Sequence, residues 1–261
     1  TVDGTNFLGT IDNVALNFRV WNNKAGRIAS TGETFFGYQA GNVNTAVNNT
    51  GIGFNALAAN TTGDNNTAIG VNALATNITG IWNTAVGVSA LRFNTGSNNV
   101  AIGTTALRNN TTGDNNVAAG IQALYSNTIG NYNVAMGGGA LNSNTSASDN
   151  TAVGWQALYT QSYNGVWSSS NVAVGNNALF YNQPTSTGNG MQNIAVGHWA
   201  LYKNTTGFDN TATGYEALYS NTTGTYNTAL GAVALEKNTT GANNMASGSY
   251  SLRNNITGNE N

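Results

Sequence analysis

The chain has 261 residues, of which 7% are charged, one is proline and none is cysteine, and its formal net charge is −2. With this weak negative charge the chain lacks the stripe of basic residues that is typical of a nucleic-acid-binding protein. The absence of cysteine excludes a disulfide framework, and no apolar run approaches the roughly 18 residues of a membrane-spanning helix. The 47 asparagines and 33 glycines are typical of disordered chains, but their regular spacing indicates a folded repeat.

Residues 1–33 precede the repeats and predict a small β-hairpin module. The segment 14–21 alternates as a strand, Asn22–Gly26 predicts a turn, and Arg27-Ile28 begins a return strand. The end coils of a repeat stack need their apolar faces covered. We therefore interpret residues 1–33 as a connector or cap.

Over residues 34–261 one pattern recurs thirteen times around an anchor glycine, with a 16–17-residue step except for two longer steps of 21 and 22. Its complete form is Asn-(Thr/Val)-Ala-x-Gly-x-x-Ala-Leu-x-x-Asn-Thr-Thr-Gly. The anchor glycines are Gly37, Gly53, Gly70, Gly87, Gly103, Gly120, Gly137, Gly154, Gly175, Gly197, Gly214, Gly231 and Gly248. A fixed period with small residues at fixed positions predicts a solenoid, and we expect the repeats to continue past Asn261.

The fixed positions are named here by their distance from the anchor glycine. The strand asparagine stands four residues before it, the strand alanine two before, and the pre-glycine residue one before; the Ala-Leu pair and the turn asparagine follow it at three, four and seven residues. β-branched residues around the strand alanine predict a short strand with a small face opposite. Helical repeats are disfavoured because Asn, Gly, Thr and Val are weak helix formers.

These positions predict an all-β parallel β-roll or β-helix solenoid built of 16–17-residue coils, with one coil for each repeat. Stacked coils would place each asparagine about 4.8 Å from its equivalent, where side-chain amides form hydrogen-bonded ladders. We expect the column of Leu57, Leu74 and Leu91 to be buried. Each coil supplies only about two bulky apolar residues and two alanines, so the core is thin. An oligomer is therefore predicted, in which chains share an apolar seam and the alanine column permits close approach.

Three segments, Asn66–Gly70, Asn83–Gly87 and Asn99–Gly103, read Asn-Thr-Ala-Ile-Gly, Asn-Thr-Ala-Val-Gly and Asn-Val-Ala-Ile-Gly. They resemble the head repeats of trimeric autotransporter adhesins and similar repeats in phage and viral fibres. The resemblance covers residues 34–261, and residues 1–33 resemble the hairpin module that precedes such repeats. It implies a homotrimer of left-handed parallel β-rolls, exposed outside a cell or on a virion, that binds host surfaces. The choice between bacterial adhesin and viral fibre stays open.

The two long steps predict loops, at residues 159–170 and 180–192, and insertions in solenoids often lie on the binding face. Their aromatic and amide side chains suit a glycan or protein receptor, and the alternative is that the aromatic rings pack beneath their own loops. The predicted receptor-binding residues are Tyr163, Trp167, Tyr181, Gln183 and Trp199. A variable column of tyrosines and arginines, five residues after the anchor glycine, is either a second binding stripe or a stabilising stack.

No catalytic, metal or cofactor site is predicted. The single histidine, His198, has no partner residue to activate it, and Asp64, Asp114, Asp149 and Asp209 are interpreted as turn acids, although calcium is the competing interpretation. Two other functions compete with a fibre. An ice-binding solenoid would use the threonine column at Thr61, Thr95, Thr111 and Thr205, which Ile78 interrupts. A glycan hydrolase would need paired carboxylates on adjacent coils, which the sequence does not supply.

Overall fold

The computed structural model describes residues 12–162, 165 and 167–261, and within them every regular element is a β-strand. The strands are β1 (Leu16–Val20), β2 (Asn23–Ile28), β3 (Thr34–Phe36), β4 (Thr50–Ile52), β5 (Thr67–Ile69), β6 (Thr84–Val86), β7 (Val100–Ile102), β8 (Val117–Ala119), β9 (Val134–Met136), β10 (Ala147–Ser148), β11 (Thr151–Val153), β12 (Trp167–Ser168), β13 (Val172–Val174), β14 (Ile194–Val196), β15 (Thr211–Thr213), β16 (Thr228–Leu230) and β17 (Met245–Ser247). This part of the chain has no helix with the length and apolar character that crossing a bilayer requires.

In the described part of the chain one sheet has 15 strands, and β10 and β12 form a second sheet of two strands. From β3 onward the neighbours in the large sheet are parallel and in register; Ala85, for example, pairs with Ala68 on one side and Ala101 on the other. Successive strands of this sheet are one repeat apart in the sequence, so each repeat makes one coil. The predicted all-β parallel solenoid of 16–17-residue coils is confirmed.

From the coil of Gly70 to that of Gly231 the interior contains the strand alanine and the Ala-Leu pair. Ala68, Ala73 and Leu74 are all 0% exposed, and the leucine column is buried from Leu57 to Leu235, as predicted. The pre-glycine residues lie outside, because successive strand residues point to opposite sides. Two details of the sequence analysis are therefore wrong: only one bulky residue per coil is inside, and the buried alanine column offers no surface for the close approach of another chain.

The anchor glycine is required by both backbone conformation and space. At Gly87 φ is 136°, and a Cβ atom built there would lie 2.5 Å from the carbonyl oxygen of Gly103 in the next coil. Glycine adopts this conformation without the steric penalty of a side chain. Backbones of adjacent coils therefore approach each other directly along this column.

Two ladders of buried asparagines run along the stack. In the strand column, Asn83 Nδ2 donates to the Gly96 carbonyl at 2.9 Å, and its Oδ1 accepts the Asn99 backbone N–H at 3.0 Å. In the turn column, Asn77 Nδ2 donates to Asn60 Oδ1 at 2.8 Å and to the Gly80 carbonyl at 2.9 Å. Buried amides must be hydrogen-bonded, so these contacts explain why asparagine is constant while neighbouring positions vary. The predicted ladders are confirmed.

The N-terminal hairpin differs from prediction in its turn. Val20 pairs with Asn23, and the residues between them, Trp21 and Asn22, have φ of 47° and 61°. Positive φ at both positions is the conformation of a two-residue type I′ hairpin turn. The turn expected at Asn22–Gly26 is therefore wrong, since β2 already begins at Asn23 and runs through Gly26.

The hairpin extends the large sheet at the first coil. β2 pairs antiparallel with β3, whereas β3 pairs parallel with β4. In β3 the strand alanine is replaced by Phe35, which is fully buried. Gly51 makes room for its ring, since a Cβ there would lie 2.8 Å from Phe35 Cδ1. A large side chain thus fills the end of the stack. Because its ring occupies the space next to Gly51, the next coil has glycine in place of the strand alanine.

Candidate functional site

The residues directly before and after each anchor glycine form an exposed surface, which we name the outward face. Its large apolar members in the first eight coils include Phe36 (42% exposed), Ile52 (41%), Phe54 (47%), Ile69 (39%), Val71 (41%), Val88 (47%), Ile102 (48%), Ile121 (54%), Met136 (47%) and Trp155 (54%). Farther along the chain the same positions are mixed: they include Val196 (36% exposed), Tyr215 (46%) and Leu230 (43%) but also Asn176, His198, Thr213 and Ser247. Continuous exposed apolar surface of this kind is typical of an interaction site.

The column five residues after the anchor glycine forms a stack along one side of the coils. Tyr159, Phe180, Tyr202 and Tyr219 lie face to face, with successive ring centroids 5.2, 5.5 and 5.3 Å apart. Nearer the N-terminus, Arg108 lies over the rings of Phe93 and Tyr125 at 5.0 and 5.8 Å. The stabilising interpretation of this column therefore matches the contacts, because the ring faces are covered by their neighbours.

The first insertion leaves the strand register intact but alters the turn ladder. Ala152 in β11 pairs with Ala173 in β13 as in any other two coils. Gln161 stands in place of the turn asparagine; its Nε2 donates to Ser169 Oγ at 2.8 Å, and Ser169 Oγ donates to Asn150 Oδ1 at 2.6 Å. Its Oε1 accepts Asn182 Nδ2 at 3.0 Å. The longer glutamine side chain and a serine from the loop thus replace the missing asparagine.

The second insertion is an excursion between Gln183 and Gly190. The Gly190 carbonyl accepts Asn182 Nδ2 at 2.8 Å, so Gly190 takes the part of the ordinary turn glycine. Within the excursion Asn189 Oδ1 accepts the backbone N–H of Thr185 at 3.0 Å and that of Ser186 at 3.3 Å. The loop therefore has its own hydrogen bonds and leaves the ladder unbroken.

The structure separates the five predicted receptor-binding residues. Tyr163 lies outside the described residues. Trp167 is only 7% exposed and lies in β12, which pairs with β10, so little of its ring is available to a ligand. Gln183 is exposed, and its backbone N–H donates to the Thr205 carbonyl at 2.9 Å. Tyr181 and Trp199 come together, since both contact Tyr202, at 5.1 and 6.3 Å between ring centroids.

Trp199 belongs to an aromatic cluster that the sequence analysis did not assemble. Its ring centroid lies 4.1 Å from that of His198, 6.1 Å from Tyr215 and 6.3 Å from Tyr219. A hydrogen bond with Glu216 raises the pKa of Tyr215. The pKa of Tyr202 is also raised, mainly by burial and secondly by a hydrogen bond with Tyr181. The sequence did contain a signal for this cluster, because aromatic residues stand one or two places after the anchor glycine in consecutive coils.

Two of the four turn acids, Asp64 and Asp114, and the threonine column make hydrogen bonds within the stack. Asp64 Oδ1 accepts the Val47 N–H at 2.9 Å, and Asp114 Oδ1 accepts the Ser97 N–H at 2.6 Å, each in the preceding coil. Thr111 Oγ1 donates to the Thr128 carbonyl at 2.8 Å, and Thr205 Oγ1 to the Thr222 carbonyl at 3.0 Å. These threonine hydroxyls are engaged within the stack, which weakens the case for an ice-binding face at this column.

The fold defines this chain as a parallel β-solenoid repeat protein. No protein-family model matches it, and no curated protein is similar enough to count as a match. Among the described residues, no three His, Asp or Glu side chains gather as metal ligands would. Two surfaces of the described residues expose apolar or aromatic side chains, the outward face and the aromatic cluster around Trp199, and they share His198 and Tyr215.

Proposed function

We propose that the chain is a structural, adhesive fibre module on the exterior of a cell or virion, and that copies of it associate as a homotrimer along the outward face of the first eight coils. The observation that supports this proposal is the apolar character of that face in the first eight coils. Ile69 and Ile102 expose 39% and 48% of their surface, although nothing in the coil requires a large apolar residue there; Thr213 occupies the same position in β15.

Burial of this face against other copies would also compensate for the thin interior. The interior of an ordinary coil contains one leucine and two alanines as its buried apolar residues, and apolar burial is the main favourable term in folding and association. The number three rests on the resemblance of Asn66–Gly70 and its equivalents to trimeric adhesin heads. A phage or viral fibre shaft with receptor-binding loops is the alternative, and it uses the same assembly.

The receptor contact is proposed at the coils that carry the insertions and the coil that follows them, where Tyr181 and Gln183 are exposed and Trp199 is half-buried. The rest of the solenoid then acts as a rigid spacer that holds this region away from the surface of the cell or virion. An extracellular fibre needs no cofactor for this role. The proposal therefore separates one surface for assembly from another for adhesion.

Assembly is tested with the double variant Ile69→Glu/Ile102→Glu. In a trimer each substitution brings three carboxylates together in an apolar seam, so we expect monomers by light scattering at micromolar concentration. The coil signal in circular dichroism should persist, since both side chains lie outside the coil. Thr62→Glu/Thr112→Glu, at exposed turn positions, is the matched control and should stay oligomeric. A wild-type chain that is monomeric at the same concentration overturns the trimer.

A further inference from the structure

The two positions after the anchor glycine vary between coils, and the consecutive coils at Gly197 and Gly214 both hold aromatic side chains there. These positions hold His198-Trp199 and Tyr215-Glu216, whereas the coils at Gly70 and Gly87 hold Val71-Asn72 and Val88-Ser89. The latter coils stack in the same parallel register without any aromatic residue at these positions. The solenoid therefore does not require the aromatic side chains.

The rings in this region differ in what they offer to a ligand. Tyr202 and Tyr219 lie face to face with an interplanar angle of 9°, so each covers a face of the other. Trp199 stands across the edges of this pair, at 61° to Tyr202 and 69° to Tyr219. Tyr215 is 46% exposed and tilted by 47° relative to Trp199. Of these four rings Tyr215 is therefore the exposed one, and the half-buried Trp199 lies beside it.

We propose that Trp199 and Tyr215, with His198 and Glu216 beside them, form a binding site for a neutral pyranose sugar of a surface glycan. This inference rests on the proposed adhesive function and names its ligand class. Flat aromatic surface takes the apolar C–H face of a sugar ring, and convergent polar groups take its hydroxyls. The Glu216 carboxylate accepts hydrogen bonds from hydroxyls, and it disfavours acidic sugars by charge repulsion. The site spans two coils, so it exists only in the folded stack.

The test uses the full chain and a variant that restores the ordinary repeat, Trp199→Asn/Tyr215→Val. Asparagine and valine occupy the equivalent positions at Asn177 and Val88, so this variant is expected to fold. Tyr226→Asn is the matched control, because Tyr226 is a similarly exposed tyrosine (54%). It stands one residue before the strand asparagine, where other coils have Asn65 and Asn243. Binding is measured on a printed panel of neutral and sialylated oligosaccharides, with light scattering on every protein.

We expect the wild type and Tyr226→Asn to bind neutral oligosaccharides, and the double variant to lose at least about tenfold in affinity without a change in mass. Unchanged affinity of the double variant, or binding of sialylated sugars alone, overturns the proposal. A double variant that dissociates assigns the cluster to the oligomer seam and also overturns it. If no sugar binds but the chain still adheres to cells, the sugar site fails and the adhesive function stands; if it adheres to nothing, both fail.

Discussion

Between Gly53 and Gly154 the anchor glycines follow one another at the ordinary 16–17-residue step, whereas the steps that begin at Gly154 and Gly175 are 21 and 22. Both kinds of coil keep the parallel strand register and the same fully buried alanines and leucine. The extra residues all fall after the turn asparagine, or after the glutamine that replaces it. The stack is therefore held by the strand, the anchor glycine and the Ala-Leu pair, while the following turn is free to vary.

The largest expected effect comes from placing a charge in the part that both kinds of coil share. Leu91 is 0% exposed, and Leu91→Asp removes its packing and buries a carboxylate, at a cost of more than about 4 kcal/mol. We expect local unfolding or dissociation of the fibre, measured by thermal melting with circular dichroism. The equivalent Leu179→Asp, in an insertion coil, should have a similar effect. An unchanged melting temperature would remove the leucine column from the core.

A smaller but still large effect is expected where the coils touch through backbone. Gly87→Ala places a Cβ 2.5 Å from the Gly103 carbonyl oxygen, whereas a Cβ at Gly248 meets no atom within 4 Å. Both glycines have positive φ, so both substitutions carry a backbone strain of about 1–3 kcal/mol. We expect Gly87→Ala to lower the denaturation midpoint clearly more than Gly248→Ala does. Equal midpoints would show that the close approach of the coils is not what selects glycine.

The smallest effect is expected from converting the insertion coils into ordinary ones. The conversion replaces residues 162–170 by Thr-Thr-Gly-Phe-Asp, changes Gln161 to Asn, and replaces residues 184–189 by a single threonine. Both coils then have the ordinary length of the repeat and a complete asparagine ladder. We expect the melting temperature to stay within a few degrees of the wild type, since surface turns contribute little to stability.

Strong destabilisation by this conversion would contradict the comparison on which it rests. It would mean that the β10–β12 pair and the hydrogen bonds of Gln161 add stability to the stack, and do not merely replace the contacts of the missing turn asparagine. The same variant removes Tyr163 and Trp167 but retains Trp199 and Tyr215, so its affinity for neutral sugars separates the replaced loop segments from the proposed aromatic site. Retained binding favours the aromatic site, and lost binding favours the replaced segments that contain Tyr163 and Trp167.

Much of the architecture was predictable because each coil is packed against copies of itself. A residue such as Asn83 meets the equivalent asparagines Asn66 and Asn99 in the neighbouring coils, so a local pattern specifies its long-range contacts. The coil length, the buried leucine column and the amide ladders follow from the repeat for this reason. The fibre function, trimer and exterior location stay predictions, since they concern partners that lie outside this chain.

Three features were decided only by the tertiary structure. The closure of each coil placed Ile69 outside and Ala68 inside, because a three-residue strand shows two faces and its sequence does not say which one the turns enclose. The corner geometry placed Leu74 at φ of 49°, a conformation that leucine does not favour locally. Stacking then brought Trp199 against Tyr215 and gave Gln161 its partner in Ser169. The repeat thus determines what every coil shares, whereas contacts between its exceptions depend on how the coils close and stack in three dimensions.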